Sequence, residues 1–88
     1  MKVLKIPNSI RKKEELIEHF ARHVPFPEFY SLNWDSFYSC LTEMLENDDM
    51  DLHIEHVGWS EEQYKSLHPY RQILLDVLLT NKNLTANF

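Results

Sequence analysis

The spacing of apolar residues along this chain switches between two and about three and a half, and the switches mark its elements. KVLKI (Lys2 to Ile6) alternates weakly and is bounded by Pro7 and Asn8, the pattern of a first strand. Leu16, Ile17, Phe20 and Val24 then recur at helical spacing, with Glu14, Glu15, Glu18 and Arg22 elsewhere around the wheel. This predicts an amphipathic helix from about Lys12 to His23, stopped by Pro25 and Pro27. A loop, PEFYS, follows, and Asn33 has the chemistry to cap a second helix. Asp35 in its first turn suits the positive end of the helix dipole. Trp34, Phe37, Leu41 and Leu45 make the apolar stripe, flanked by Cys40 and Met44.

Beyond the acidic stretch ENDDMD, the segment LHIEHV alternates as a strand should, and Gly58 ends it. Gly58 is the chain's one glycine, so few turns can demand positive φ. Ser60 followed by Glu61, Glu62 and Gln63 is a capping signature for a short helix. His68-Pro69 opens another, with Ile73, Leu74, Val77 and Leu78 facing inward; NKN closes it, and LTANF makes a last short strand. The order β-α-α-β-α-α-β predicts an α/β fold: a small three-stranded parallel β-sheet with about four helices packed on it. Residues 1–88 are expected to form a single domain, since 88 residues leave no room for a second core.

The charge distribution adds more than the net charge of −5. Residues 1–25 carry six basic and three acidic side chains, whereas from Phe26 to Tyr64 there are ten acidic residues and neither Lys nor Arg. Such a stripe repels nucleic acid, whose phosphates need Lys and Arg to displace counterions. It attracts a basic partner and accelerates encounter with it, although a run of like charge also serves simply to solvate a surface. No apolar run approaches the roughly 18 residues that span a bilayer, and MKVLKIPNSIRKK has no long apolar segment of a signal peptide. A lone cysteine, Cys40, suits a reducing compartment. The expectation is therefore a cytoplasmic protein that binds neither membrane nor nucleic acid.

Catalytic chemistry has little to hold. One glycine excludes a phosphate-cradling loop. Cys40 lies between Phe37 and Leu41 beside the buried stripe, the setting of a small core residue rather than a nucleophile. His19 and His23 share a helix face, but HFARH lacks the glutamate of a zinc-protease motif and a third ligand. His53 and His56, three apart on a strand, point to opposite faces. Asp48, Asp49 and Asp51 do not match the spacing of a calcium-binding loop and read as a solvated turn. No enzyme activity, metal or cofactor is expected.

FPEFYSLNWDSFYSCLTEML, Phe26 to Leu45, joins many aromatics to acidic residues without a cation. It resembles the signature of the barstar family, small intracellular inhibitors of secreted ribonucleases. Pro27, Glu28, Phe29, Tyr30, Asn33, Asp35, Cys40, Leu41 and Thr42 match the family pattern of aromatic loop, Asn-x-Asp helix start and Cys-Leu-Thr helix end. Outside residues 26–45 the likeness lies mainly in the order of elements. The resemblance implies the three-stranded parallel sheet already expected. It also implies a mechanism in which the second helix and its preceding loop plug a ribonuclease active site, carboxylates standing in for RNA phosphates.

If Trp34, Phe37 and Leu41 face inward, Asp35, Ser39, Thr42 and Glu46 line the outward face, with Phe29, Tyr30 and Ser31 in the adjoining loop. Tyr30 reads equally as a core ring with a satisfied hydroxyl. The expected partner-binding set is Phe29, Tyr30, Ser31, Asn33, Asp35, Tyr38, Ser39, Thr42, Glu43 and Glu46. The resemblance adds Asp76 on the last helix, which reads equally as an ordinary solvent-facing residue. The chain departs from the family at three places: Ser39 replaces an aspartate, Ser31 a loop glycine and Met44 a late tryptophan. These changes point to a target other than the archetype's, with Asp35 and Glu43 or Glu46 carrying the charge. The expected partner is a secreted or delivered bacterial ribonuclease, met by a protein that is monomeric when free. The rival reading is a module that kept the fold and docks on a different basic protein.

Overall fold

The computed structural model describes residues 1–47 and 50–88. The predicted turn at Asp48 and Asp49 lies outside the described residues. Among the described residues seven elements follow in order: β1 (Lys2–Pro7), α1 (Lys13–His23), α2 (Trp34–Asn47), β2 (Leu52–Val57), α3 (Glu61–Ser66), α4 (His68–Thr80) and β3 (Leu84–Asn87). The strands form one parallel sheet in the order β1-β2-β3, with Leu4 opposite Ile54 and Leu52 opposite Leu84. The expected α/β architecture is therefore present. Strand β1 runs one residue further than its alternation predicts, because Pro7 stands at the end of an edge strand, where its missing N–H costs little.

Period-two burial places Leu4, Ile6, Leu52, Ile54 and Leu84 in the core. Val3, Lys5, Val57 and Thr85 on the other face reach solvent, so the helices cover one side of the sheet. Phe20 of α1, Phe37 and Leu41 of α2, and Tyr70, Leu74 and Val77 of α4 are fully buried on that side. Each such side chain contributes on the order of 1.5–3 kcal/mol by leaving water. Phe20 meets Phe37 edge-on at 4.9 Å, and Tyr70 touches both rings. Of the four α4 residues expected inward, Leu74 and Val77 are buried while Ile73 and Leu78 are half-buried against the core. Tyr70, which the aliphatic spacing did not single out, is fully buried beside them.

Helix ends follow local chemistry. Glu15 reaches back to the Lys12 amide at 3.2 Å and starts α1. Ser60 Oγ accepts from the Gln63 amide at 3.3 Å and starts α3. The Gln63 side chain does not complete a reciprocal cap. It is buried and donates instead to the Ile10 and Asn8 carbonyls at 2.6 and 3.3 Å, pinning the β1–α1 turn. Gly58 ends β2 with φ +72°, as its place in the sequence predicts.

Candidate functional site

The candidate site is built from the loop between α1 and α2 and from the outward face of α2. Pro25 and Pro27 cannot continue α1, and the Tyr30 amide donates to the Pro27 carbonyl at 3.3 Å, turning the chain back. Phe26 folds inward against Phe20 and Phe37, and Tyr30 lies half-buried with its ring 6.4 Å from Phe26. Tyr30 thus packs one side on the core and leaves the rest toward solvent. Phe29 at the turn is 69% exposed, and Leu32 two residues past Tyr30 is 39% exposed. Glu28 and Ser31 are also exposed.

Asn33 caps α2: its Oδ1 accepts from the Ser36 amide at 2.8 Å, and its carbonyl accepts from the Phe37 amide at 3.0 Å. Its side-chain oxygen is therefore engaged in shaping the helix start, as its place in the sequence predicts, while the residue itself stays exposed where loop meets helix. Ser36 Oγ accepts from the Ser31 amide at 2.7 Å, so the loop is tied to the first turn it precedes.

The inward stripe of α2 fixes what faces out. Phe37, Cys40, Leu41, Met44 and Leu45 are buried, and Trp34 is half-buried against Phe37 and Tyr70. At about 100° per residue, Asp35, Tyr38, Ser39, Thr42, Glu43 and Glu46 fall within an arc of about 140° on the opposite side. Asp35, Tyr38, Ser39, Glu43 and Glu46 are exposed and Thr42 is half-exposed. The rise of about 1.5 Å per residue puts Asp35 some 12 Å from Glu43 and some 16 Å from Glu46 along the axis. Between them the face is neutral. Thr42 Oγ1 donates to the carbonyls of Tyr38 and Ser39 at 2.9 and 3.0 Å, so its proton is held within the helix. The Thr42 methyl and the Ser39 hydroxyl are what remain for a partner.

Asp76 is exposed on α4, which packs against α2. Among the described residues no side-chain hydrogen bond or ion pair joins it to the α2 face. Leu32 is the surface residue that sequence reasoning missed; the one signal it gave was an apolar residue in a loop with no periodic partner.

The thiol and the paired histidines are each engaged by their surroundings. Cys40 is buried, and burial pushes its thiol up, against the smaller effect of Ser36 Oγ 3.9 Å away. The His19 and His23 rings lie 4.4 Å apart, but each has a nitrogen committed to a backbone carbonyl, Lys5 and His19 respectively. No group of three metal-ligating side chains occurs among the described residues. No helix of the described residues is long and apolar enough to cross a membrane.

A small parallel α/β domain that turns exposed rings and carboxylates outward on one loop and helix has the build of a protein-binding inhibitor. A family model described as Barstar (barnase inhibitor) matches residues 1–85, and the chain belongs to that family. The family is one of ribonuclease inhibitors rather than enzymes, and its partner is a barnase-like ribonuclease. A search of curated proteins found no match.

Proposed function

We propose that this protein is an immunity protein that blocks a cognate bacterial ribonuclease toxin, working in the cytoplasm of the cell that must survive it. The observation that carries the reading is the coincidence, on the α1–α2 loop and α2, of exposed Phe29, Leu32 and Tyr38 with exposed Glu28, Asp35, Glu43 and Glu46, in a stretch from Phe26 to Tyr64 that holds no Lys or Arg. A ribonuclease cleft is lined with cations that hold phosphates. Asp35 at the helix start occupies one such phosphate position, Glu43 and Glu46 answer a second cationic group further along, and Phe29 and Tyr38 fill apolar or base-stacking space. Tyr30, Ser39 and Thr42 complete the contact, with Ser31 beside the loop turn and Asp76 reaching the rim from α4.

One observation favours a second reading, a barstar-fold module docking on a different basic protein. The middle of the α2 face is neutral at Ser39, where the family's pattern has an aspartate, so a cation at that point of a partner would meet no charge.

Titration into a panel of small secreted microbial ribonucleases, following RNA cleavage with Asp35→Ala alongside, separates these readings. Stoichiometric inhibition by the wild type and its loss in the variant support both function and site. Inhibition that survives the substitution moves the interface away from Asp35. Failure against every ribonuclease transfers the weight to the repurposed module.

A further inference from the structure

Away from the α2 face, His56 sits at a junction of four elements. It projects from β2 into a cluster formed by Trp59, by Tyr64 of α3, by Tyr70 of α4 and by Phe88 after β3, whose ring stacks on it at 5.1 Å. Its two nitrogens have different partners. Nδ1 lies 2.8 Å from the Asn87 carbonyl, and Nε2 lies 2.6 Å from the Tyr70 hydroxyl. A carbonyl can only accept, so Nδ1 carries the proton of the neutral ring. Nε2 is then a bare acceptor, and the Tyr70 O–H donates to it. Tyr70 is fully buried, and His56 is its hydroxyl's one hydrogen-bond partner among the described residues.

We propose that His56 is an acid-sensitive clasp: protonating it reverses the Tyr70 hydrogen bond, strands the buried hydroxyl hydrogen and loosens the seat of the first turn of α2. A proton on Nε2 turns that atom into a donor and leaves the buried Tyr70 hydroxyl hydrogen without an acceptor. The Tyr70 ring lies against Trp34 at 6.5 Å and Phe37 at 5.9 Å, so its displacement is passed to the turn that carries Asp35. Around the cluster, α3 brings Glu61, whose charge acts on Tyr64 more weakly than that of Arg71 from α4. Tyr64 from α3 is neutral, and Arg71 from α4 lies over the Tyr64 and Phe88 rings, bringing a further positive charge to the cluster. On β2 itself Glu55 is on the opposite sheet face, where it pairs with His53 at 3.7 Å. Burial holds the imidazole's proton affinity below its ordinary value of 6.5, with the Asn87 carbonyl opposing this more weakly.

The sign follows from the unfolded chain. Below about pH 6.5 the unfolded His56 takes up a proton while the folded one resists, so stability is full above that pH. It is lost as pH falls toward the folded-state value. Over that window one proton raises the unfolding equilibrium constant by up to about tenfold per pH unit.

The test uses the free protein, and therefore does not rest on the ribonuclease reading. Ring ¹⁵N spectra of the wild type between pH 8 and 4.5 should show the Nδ1–H tautomer at high pH and a midpoint below 6.5. The Trp34 indole signal should move with that midpoint. An Nε2–H tautomer, a midpoint at or above 6.5, or a Trp34 signal that ignores it overturns the proposal. Tyr70→Phe should raise the His56 midpoint and uncouple Trp34. Denaturant unfolding of His56→Gln should lack the one-proton loss seen in the wild type; an unchanged acid slope assigns the effect to other groups and defeats the clasp.

Discussion

The Ser31 amide donates to Ser36 Oγ at 2.7 Å, while the Ser36 amide donates to Asn33 Oδ1 at 2.8 Å. One serine thus receives the loop on its side chain and the cap on its backbone. The loop carrying Phe29 and the helix carrying Asp35 are held at a fixed relation before any partner arrives. Preorganisation of this kind lowers the ordering cost of binding.

Ser36→Ala removes the latch without touching an outward side chain. It should cost about 0.5–1.5 kcal/mol of folding stability, read from denaturant midpoints. It should also weaken partner binding with every contact residue still present. Equal affinity for variant and wild type would show that the loop is ordered by other means.

Asn33→Ala leaves the Ser36 amide without its cap and should destabilise the protein by about 1 kcal/mol, while Asn33→Gly costs only a few tenths. Thermal or urea unfolding of the two variants distinguishes a capping role from a partner contact, because a pure contact residue would leave free-protein stability unchanged.

Much of this organisation was legible from the chain because period and punctuation agree. Pro25 and Pro27 end α1, Gly58 ends β2, and the inward stripe from Phe37 to Leu45 leaves Asp35, Tyr38, Ser39, Glu43 and Glu46 facing out by subtraction. What escaped was pairing across distance. His56 and Tyr70 are joined through polar atoms that leave no trace in a hydrophobic period. Gln63 looked like part of a local cap and is committed 53 residues away, to Ile10. The exposure of Leu32 and the half-burial of Tyr30 depend on how the loop folds back over Phe26, which turn chemistry alone does not dictate.

Gly58 adopts φ +72°, and a Cβ there would stand 3.0 Å from Asn8 Nδ2, the atom that donates to the Gly58 carbonyl at 3.2 Å. Gly58→Ala therefore brings left-handed backbone strain and displaces the Asn8 side chain. We expect a loss of about 1–3 kcal/mol in equilibrium unfolding, with the α2 face unaffected. A neutral substitution would mean that the turn relaxes freely.

Cys40 is fully buried with its thiol pushed above the ordinary value of 9.0 by burial, so at pH 8 less of it is thiolate than in the unfolded chain. Alkylation of the native protein should be about tenfold or more slower than in denaturant, since it waits on opening of the α2 packing. The two rates should converge as denaturant is added. Fast labelling of the native state would place the thiol at the surface.

The acidic stripe makes a kinetic prediction that the hydrogen bonds do not. Glu28, Asp35, Glu43 and Glu46 are exposed together without a neighbouring Lys or Arg in the sequence from Phe26 to Tyr64. Their joint field should draw a basic ribonuclease in before any contact forms. Raising the salt shortens the Debye length to about 8 Å at physiological ionic strength and about 3 Å at 1 M. Association measured by stopped flow should therefore slow by about tenfold or more between low and high salt, with dissociation changing less. Glu43→Gln with Glu46→Gln should flatten that dependence, acting mainly on the on-rate. Asp35→Ala should instead raise the off-rate and weaken binding by about 2–5 kcal/mol, a range to which the family's archetype complex itself contributes. An on-rate that ignores salt would show that the stripe only solvates the surface, and the two glutamates would then leave the proposed interface.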